Sequence, residues 1–307
     1  MRSINTYISI FRTMGLSYCI REIYRRLLWI GKSRPVIEQQ DAERCAKYLY
    51  RHYKSLIEKR IDSVSVENCL PHKDIWVFWA HGLEQAPVIV KKCVESIQKY
   101  CDGYSIHIID ENSFPDYVSM PDYILERYHS KSMSCAAFSD ILRTALLVKY
   151  GGIWVDATVL LTGSLPEVIT KSSLFLYQKP LLSSTPHFGS NWLIASEKNN
   201  PVLQRQLELL YAYWKDNRTA VNYFIYHVFL YLISVHNCEI KELCGRMPYI
   251  DNSCPHLMQF RFSFSYNSEL WSYILSQSSV HKLTYKYKDP TPNERTIWSF
   301  LLNEYEV

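Results

Sequence analysis

The sequence predicts an α/β fold built on a mostly parallel central sheet, with helices on its faces and a helical C-terminal part. Three observations carry this. Two short apolar runs rich in β-formers, residues 75–80 (IWVFWA) and 104–110 (YSIHIID), bracket an amphipathic helix and so form a β-α-β unit. A long apolar helix over about 134–150 runs through Gly151-Gly152 into another apolar stretch, 153–161. Helical patterns then dominate from Pro201 onward.

Taken in order, residues 1–70 read as an N-terminal helical segment and 71–307 as the main domain. Residues 1–34 carry Arg2, Arg12, Arg21, Arg25, Arg26, Lys32 and Arg34 against Glu22 alone. Within them, 17–30 place Ile20, Ile23, Tyr24, Leu27 and Leu28 at helical spacing, with Arg21, Arg25 and Arg26 on the other side. Two readings stand side by side: a helix lying on an anionic, cytoplasmic-side membrane surface, or one packed on its own domain with solvated arginines. A second amphipathic helix over 41–61 aligns Ala42, Cys45, Leu49, Tyr53 and Leu56.

In the β-α-β unit, Pro87 opens the helix, Ile89, Cys93 and Ile97 form its buried stripe, and Gly103 closes it. Pro121 opens a further short helix. The run 153–161 reads as one strand, with 174–178 and 191–196 as two more. Residues 219–238 have no formal charge but contain Asn222, His227, Ser234, His236 and Asn237, so they read as a buried core helix rather than a membrane span. Near the end, Thr291-Pro-Asn-Glu294 has the pattern of a capping box that starts the last helix.

Composition narrows the partners. With 48% hydrophobic and 21% charged residues the chain is globular. A net charge of +4, without a Lys/Arg run beyond residue 60, gives no sign of nucleic-acid binding. The 9 cysteines show no CxxC pair or zinc spacing, which fits reduced, mostly buried thiols in the cytoplasm. No apolar core with a small-residue cleavage site opens the chain, so export is not expected. The 24 Tyr and 8 Trp suit sugar or base stacking, core filling or membrane interfaces alike.

The chemistry concentrates around the long helix. Asp140 and Arg143 lie three residues apart on a helix that is otherwise apolar nearly all round. Buried charges are costly unless paired or used, so the two are either a structural ion pair or groups that project into a cleft. The following strand delivers Asp156, and Asp110 ends an earlier one. The loop Trp79-Ala80-His81-Gly82 follows the first strand. In open α/β sheets ligands bind at the carboxyl ends of the strands. An aromatic plate, a hydrogen-bonding carboxylate and a ligand for metal or sugar at one edge suit a nucleoside diphosphate sugar.

The run FSDILRTALLVKYGGIWVDATVLL (138–161) resembles the donor-site signature of the capsular polysaccharide synthesis glycosyltransferases, relatives of the DXD-containing sugar transferases. IWVFWAHGLEQAPVIVKKCVESI resembles their first strand and helix, and HKLTYK (281–286) their C-terminal basic motif; the likeness spans about 70–300. It implies a GT-A fold, which is Rossmann-like, a nucleotide-sugar donor, taken as a UDP-sugar, and a polysaccharide or lipid-linked acceptor in bacterial capsule or surface polysaccharide synthesis. It places Trp79, Asp110, Asp140, Arg143 and Asp156 at the donor site, with the adjoining His81, Gly82, Ala157 and Thr158 as further donor-site candidates, and it leans toward transfer with retention.

One departure stands out. The wider relatives read Asp-x-Asp where this chain reads Asp156-Ala157-Thr158, so a hydroxyl replaces the usual second metal-ligating carboxylate. A divalent cation, Mn²⁺ or Mg²⁺, is implied by the resemblance, with Asp156 as its ligand. Without one, His281, Lys282 and Lys286 are the cations available to neutralise the leaving nucleotide, or else a solvated basic strand edge. Ser190 and Asn191 could face the reacting sugar or belong to a turn, and Asn191 joins Asp156 among the catalytic candidates. Asp216, Asp251 and His227 are candidates for a base. Two other functions compete: a nucleotidyltransferase or nucleotide-sugar hydrolase, which would want a Lys/Arg-bearing glycine-rich loop where AHGLEQAP stands, and a non-catalytic carbohydrate-binding component of capsule assembly.

Overall fold

The computed structural model describes residues 34–61 and 72–307, with the isolated helical positions 8, 11 and 20. Apart from those positions and Arg34, the basic segment 1–34 and the helix expected at 17–30 lie outside the described residues.

A five-stranded sheet forms the centre, in the order β2-β1-β3-β6-β5. Its strands are β1 (Asp74–Phe78), β2 (Ser105–Ile109), β3 (Gly152–Val155), β5 (Leu174–Gln178) and β6 (Gly189–Ser196). β1 pairs in parallel with β2 and β3, while β6 is antiparallel to both β3 and β5. Four of the five strands therefore share one direction, and β6 alone runs against them. The α/β expectation holds, with a mostly parallel sheet flanked by helices. A small second sheet pairs β4 (Val159–Leu161) with β7 (Val280–Lys282).

The pleat sorts the core into two layers. Trp76 and Phe78 of β1, with Trp154 and Ile194, face one side. There they meet α1 (Arg34–Ile57), α3 (Asp122–His129), α4 (Cys135–Tyr150), α6 (Pro201–Asp216), α7 (Ile225–His236) and α8 (Cys238–Gly245). Ile75, Val77, Ile153 and Val155 face the other side. That layer is completed by α2 (Val88–Tyr100), the short α5 (Glu167–Thr170), α9 (Ser253–Phe260), α10 (Ser268–Gln277) and α11 (Ile297–Asn303). Each large apolar side chain buried this way contributes roughly 1.5–3 kcal/mol relative to exposure.

Helix α1, read in sequence as part of an N-terminal segment, packs into the first layer through Cys45, Leu49, Tyr53 and Ile57. Tyr53 donates to Asp216 at 3.2 Å and accepts from Asn217 at 3.0 Å. Helix α7 is buried along Tyr226, Val228, Phe229, Leu230, Leu232 and Ile233, as expected for a core helix. Among the described residues no helix is long and apolar enough to cross a membrane.

Beyond shifted helix ends, two elements differ in kind from the sequence reading. The single strand expected over 153–161 is two strands. Asp156 N–H makes the last ladder bond, to the Trp192 carbonyl at 2.8 Å, and Val159 N–H then closes a turn onto the Asp156 carbonyl at 2.9 Å. The chain thereby leaves the main sheet and pairs with β7 instead. The capping box expected at 291–294 is a turn, closed by Glu294 N–H on the Thr291 carbonyl at 2.9 Å. The cap lies further on: the Thr296 hydroxyl accepts from Ser299 N–H at 3.1 Å, and the Ser299 hydroxyl accepts from Thr296 N–H at 2.8 Å. Either arrangement satisfies the helix's first N–H groups, and tertiary packing of Ile297 and Leu301 selects the later one.

The joint between α4 and β3 depends on glycine. Gly151 and Gly152 have φ of +74° and +98°, and a Cβ on Gly152 would lie 2.6 Å from the Asp74 carbonyl oxygen. Trp76 Nε1–H donates to the Gly151 carbonyl at 2.8 Å and fixes the turn from the neighbouring strand.

Candidate functional site

Because β6 runs antiparallel, its N-terminal end meets the carboxyl ends of β1, β3 and β5 at one sheet edge. Three connected cavities lie there. The largest, about 560 Å³, is lined by Trp79, Ser139, Asp156, Lys282, Tyr285 and Lys286 among others. A middle chamber of about 150 Å³ is bounded by Asp140, Arg143, Asp156, Asn191, Tyr223 and His227. A third, about 290 Å³, shares Asn191 and His227 with it and continues along His187, Trp192, Phe224 and His256.

Helix α4 supplies one wall. Ser134 caps it, accepting from Ala137 N–H at 3.2 Å, and its apolar faces hold it in the core, so Asp140 and Arg143 are brought to the cleft side. Arg143 is buried and joins the parts of the site. Its Nη2 lies 3.4 Å from Asp140 Oδ1 and 3.5 Å from Asp156 Oδ1. Its Nη1 donates to the Asn191 carbonyl at 2.6 Å, its Nε to the Ser139 carbonyl at 3.2 Å, and its guanidinium stacks 5.0 Å from the Trp154 ring centroid. A buried guanidinium is tolerable only when its donors are met this fully. Burial pushes the Asp140 carboxyl up to about 6, against the pull of Arg143 and with a further push from Asp156. Asn191, in strand β6 rather than a turn, donates to Asp140 Oδ1 at 2.6 Å.

Asp156 stands at the break between β3 and β4. The Trp154 indole N–H donates to its Oδ1 at 2.9 Å, and the Lys282 ammonium lies 3.5 Å from its Oδ2. Lys282 also donates to the Thr158 hydroxyl. Each Asp156 oxygen thus faces a cation of the protein itself. Among the described residues no three His, Cys, Asp or Glu side chains gather as a group that could hold a metal ion.

At the far end of the largest cavity, Trp79 meets Tyr285 edge to face at 5.2 Å, and Lys286 sits 5.4 Å from the Tyr285 ring centroid. Together they form an aromatic wall with positive charge beside it.

The sequence-derived residues divide accordingly. Trp79, Asp140, Arg143, Asp156, Ala157, Thr158, Asn191, Lys282 and Lys286 line the cleft. His81, Gly82, Asp110 and His281 do not line these three cavities. His81 is exposed, 4.0 Å from Glu111. Gly82 shapes the turn after β1 at φ +74°. Asp110 Oδ1 accepts from the N–H groups of Asn112 and Ser113 and the Ser113 hydroxyl, and these bonds hold its carboxyl below the usual range. His281 is fully buried on the opposite face of β7 from Lys282, with Nε2 3.0 Å from the Thr162 hydroxyl, and burial lowers it to about 4. Strand alternation explains the split between these two neighbours. Of the base candidates, Asp216 is engaged by Tyr53, Asp251 caps Ser253 N–H at 2.7 Å, and His227 alone lies in the cleft. Sequence reasoning missed Tyr285, Tyr223 and Ser139. Tyr285 and Ser139 had a signal, since they fall inside the HKLTYK and FSDILR segments, and Tyr223 had none.

A cleft at the carboxyl edge of an α/β sheet, with an aromatic wall and clustered fixed charge, lies where proteins of this architecture seat their ligands across strand ends. Residues 26–301 match the family described as capsular polysaccharide synthesis protein, and the chain belongs to that family. Among curated proteins it is similar to the O-glycosyltransferase braB of Annulohypoxylon truncatum, 24% identical over 175 residues, covering 52% of this chain and 41% of that protein. It is also similar to the glycosyltransferase afumC of Aspergillus fumigatus, 24% identical over 196 residues, covering 57% of this chain and 48% of that one. The match spans less than half the length of either relative. Among solved structures, the PaToxG glycosyltransferase superposes with a TM-score of 0.40 at 15% identity, over 68% of this chain and 85% of its own.

Proposed function

We propose that the protein is a GT-A-type glycosyltransferase that moves a sugar from a nucleotide donor, a UDP-sugar in the first instance, to a hydroxyl of a polysaccharide or lipid-linked glycan in bacterial capsule or surface polysaccharide synthesis. The observation that carries this is Asp156, held between Arg143 and Lys282 at the strand edge of a cleft that ends in the Trp79–Tyr285 wall. The family and the glycosyltransferase relatives support the reading.

In this reading the base stacks at Trp79 and Tyr285, Lys286 and Lys282 receive the diphosphate, and the sugar reaches the middle chamber beside Asp156 and Asn191. His81, Gly82 and Asp110 support the loop that frames the base, and His281 packs beneath Lys282. The bond from the anomeric carbon to the diphosphate oxygen breaks, and its electron pair leaves with the nucleotide. Fixed positive charge where that negative charge develops is the largest single source of rate in such reactions. Transfer proceeds with retention, as the family resemblance implies, with the acceptor proton passing to the departing phosphate.

The Mn²⁺ or Mg²⁺ expected from the Asp-x-Asp relatives does not fit the residues present. Such an ion wants several oxygen ligands, and here one carboxylate is already faced by two cations within 3.5 Å. Lys282 and Arg143 take over the neutralising role, and no step runs through a metal.

For localisation, the basic segment 1–34 holds the enzyme peripherally on the inner face of the membrane, near a lipid-linked acceptor. Deleting residues 1–33 should release the protein from anionic liposomes; unchanged co-sedimentation refutes this part.

The decisive experiment is a panel of UDP-, GDP- and CMP-sugars, read by thermal shift and by product analysis. One donor should raise the melting temperature and yield a glycoside of defined anomeric configuration. Binding without transfer to any hydroxyl acceptor would favour a carbohydrate-binding or hydrolytic role, and no response to any nucleotide would defeat the reading.

A further inference from the structure

The third chamber lies on the far side of Asp156 from the aromatic wall and opens into the middle chamber past Asn191 and His227. Its volume of about 290 Å³ sits at the lower end of small-ligand pockets, room for one ring rather than a chain. No acidic side chain lines it, and its one lysine, Lys179, is tied to the Thr185 carbonyl at 2.7 Å. Its walls are aromatic: Trp192 stacks on Tyr177 with ring centroids 4.8 Å apart, and His256 meets Trp192 edge-on at 5.7 Å. Burial holds His187, His227 and His256 neutral by lowering all three.

The hydrogen-bonding inventory is incomplete in a particular way. His227 Nδ1–H donates to the Gly189 carbonyl at 2.7 Å, which fixes the tautomer and leaves Nε2 as a lone-pair acceptor. In the same chamber Trp192 Nε1 and His187 Nε2 are buried, and neither has a partner among the described residues. Buried polar groups without partners are rare, and two of them stand in the wall behind this chamber. Neutral hydrogen-bonding rings set in an aromatic wall match an uncharged polyol that stacks one face and offers its hydroxyls at the edge.

We infer that this chamber is the acceptor subsite, taking one uncharged pyranose, a non-reacting hydroxyl of which donates a hydrogen bond to His227 Nε2 and so holds the ring with its reacting hydroxyl toward the middle chamber. The inference rests on the transferase reading for the word acceptor, but the sugar site itself can be tested without a donor. His227 is then a group that touches substrate, and Trp192, stacked on Tyr177, backs the wall behind it.

The test uses the full chain and a set of methyl pyranosides (gluco, galacto, manno and N-acetylglucosaminide) in saturation-transfer NMR, without nucleotide. At least one should receive saturation. His227→Phe should weaken that signal about tenfold, and His227→Gln should restore part of it. Should His227→Phe fail to fold, Ser183→Trp, placed on the surface loop at the chamber mouth, should block the same signal sterically. In both variants nucleotide affinity should change less than twofold. Saturation of no pyranoside, or equal saturation in the wild type and the folded variants, overturns the inference. Loss of nucleotide binding in the wild type would instead strike the transferase reading while leaving the sugar site standing.

Discussion

The Lys282 ammonium lies 3.5 Å from Asp156 Oδ2 and donates to the hydroxyl of Thr158, the residue that, in the proposed transferase reading, stands in place of a second carboxylate. The replacement and the lysine belong together. A carboxylate at 158 would call for an external cation, whereas a hydroxyl leaves room for a resident one.

Lys282→Met should therefore cost transfer rather than folding. Removing one fixed donor from a developing oxyanion typically costs about 10²–10³ in kcat. The wild type should turn over at the same rate in EDTA as in added Mn²⁺. A wild-type rate abolished by EDTA, and restored by Mn²⁺ alone, would refute the role given to Lys282.

Arg143→Met should be costly to the fold as well. It strips the partner from Asp140 and Asp156 at once, and breaking a buried pair on one side costs about 3–5 kcal/mol. Asp140→Asn should be milder, because Arg143 keeps its bonds to Asn191, Ser139 and Asp156. Denaturant melts of the two variants check the order, and equal losses would contradict it.

Acid should destabilise the protein below pH 6.5. Burial lowers His72, His187, His227, His256 and His281 below the ordinary histidine value of 6.5, so the unfolded chain takes up protons first as pH falls and stability drops. Asp140 works the other way. Raised to about 6 from 3.8, it holds a proton in the fold that the unfolded chain has lost, so it adds stability as pH falls through 6. Five groups outweigh one, so the melting temperature should fall between pH 7 and pH 5, and more steeply in Asp140→Asn. A melting temperature that rises over this range would show that the histidines are not held neutral.

Gly152→Ala should disrupt the α4–β3 joint. At φ +98° a side chain is strained, and its Cβ would meet the Asp74 carbonyl oxygen at 2.6 Å, so a loss of at least about 2 kcal/mol is expected. Gly245, at the end of α8, has open space within 4 Å of where a Cβ would stand, so Gly245→Ala serves as the neutral control. Equal melting temperatures for the two variants would count against the close approach.

Much of this was readable from residue pattern alone, for definite reasons. The β-α-β unit, helix α4 and helix α7 have strong local periodicity, and apolar faces survive into the fold unchanged. Asp156 was readable because its segment resembles a donor-site motif, although the strand was read as running on to residue 161. What escaped was decided at long range. The break after Asp156 depends on which strand Val159–Leu161 pairs with, and that partner, β7, lies far along the chain at Val280–Lys282. His281 and Lys282 are adjacent and both basic, and only their register on β7 separates a buried ring from a cleft-lining ammonium. Tyr223 and His227 lie in a stretch read as core, and nothing local marks its first turn as the wall of a chamber.

The long reach of Lys282 also bears on the order in which the molecule becomes competent. Asp140, Arg143 and Asp156 sit within one short stretch and can find each other as soon as α4 docks on the sheet, whereas the Lys282–Thr158 contact closes a loop of 124 residues. Contacts of such separation form late, because the entropy of closing the loop comes before any reward. During synthesis the acidic pole of the site is made before its second cation has been added to the chain. In the proposed reading, the second cation beside Asp156 therefore waits for the pairing of β7 with β4.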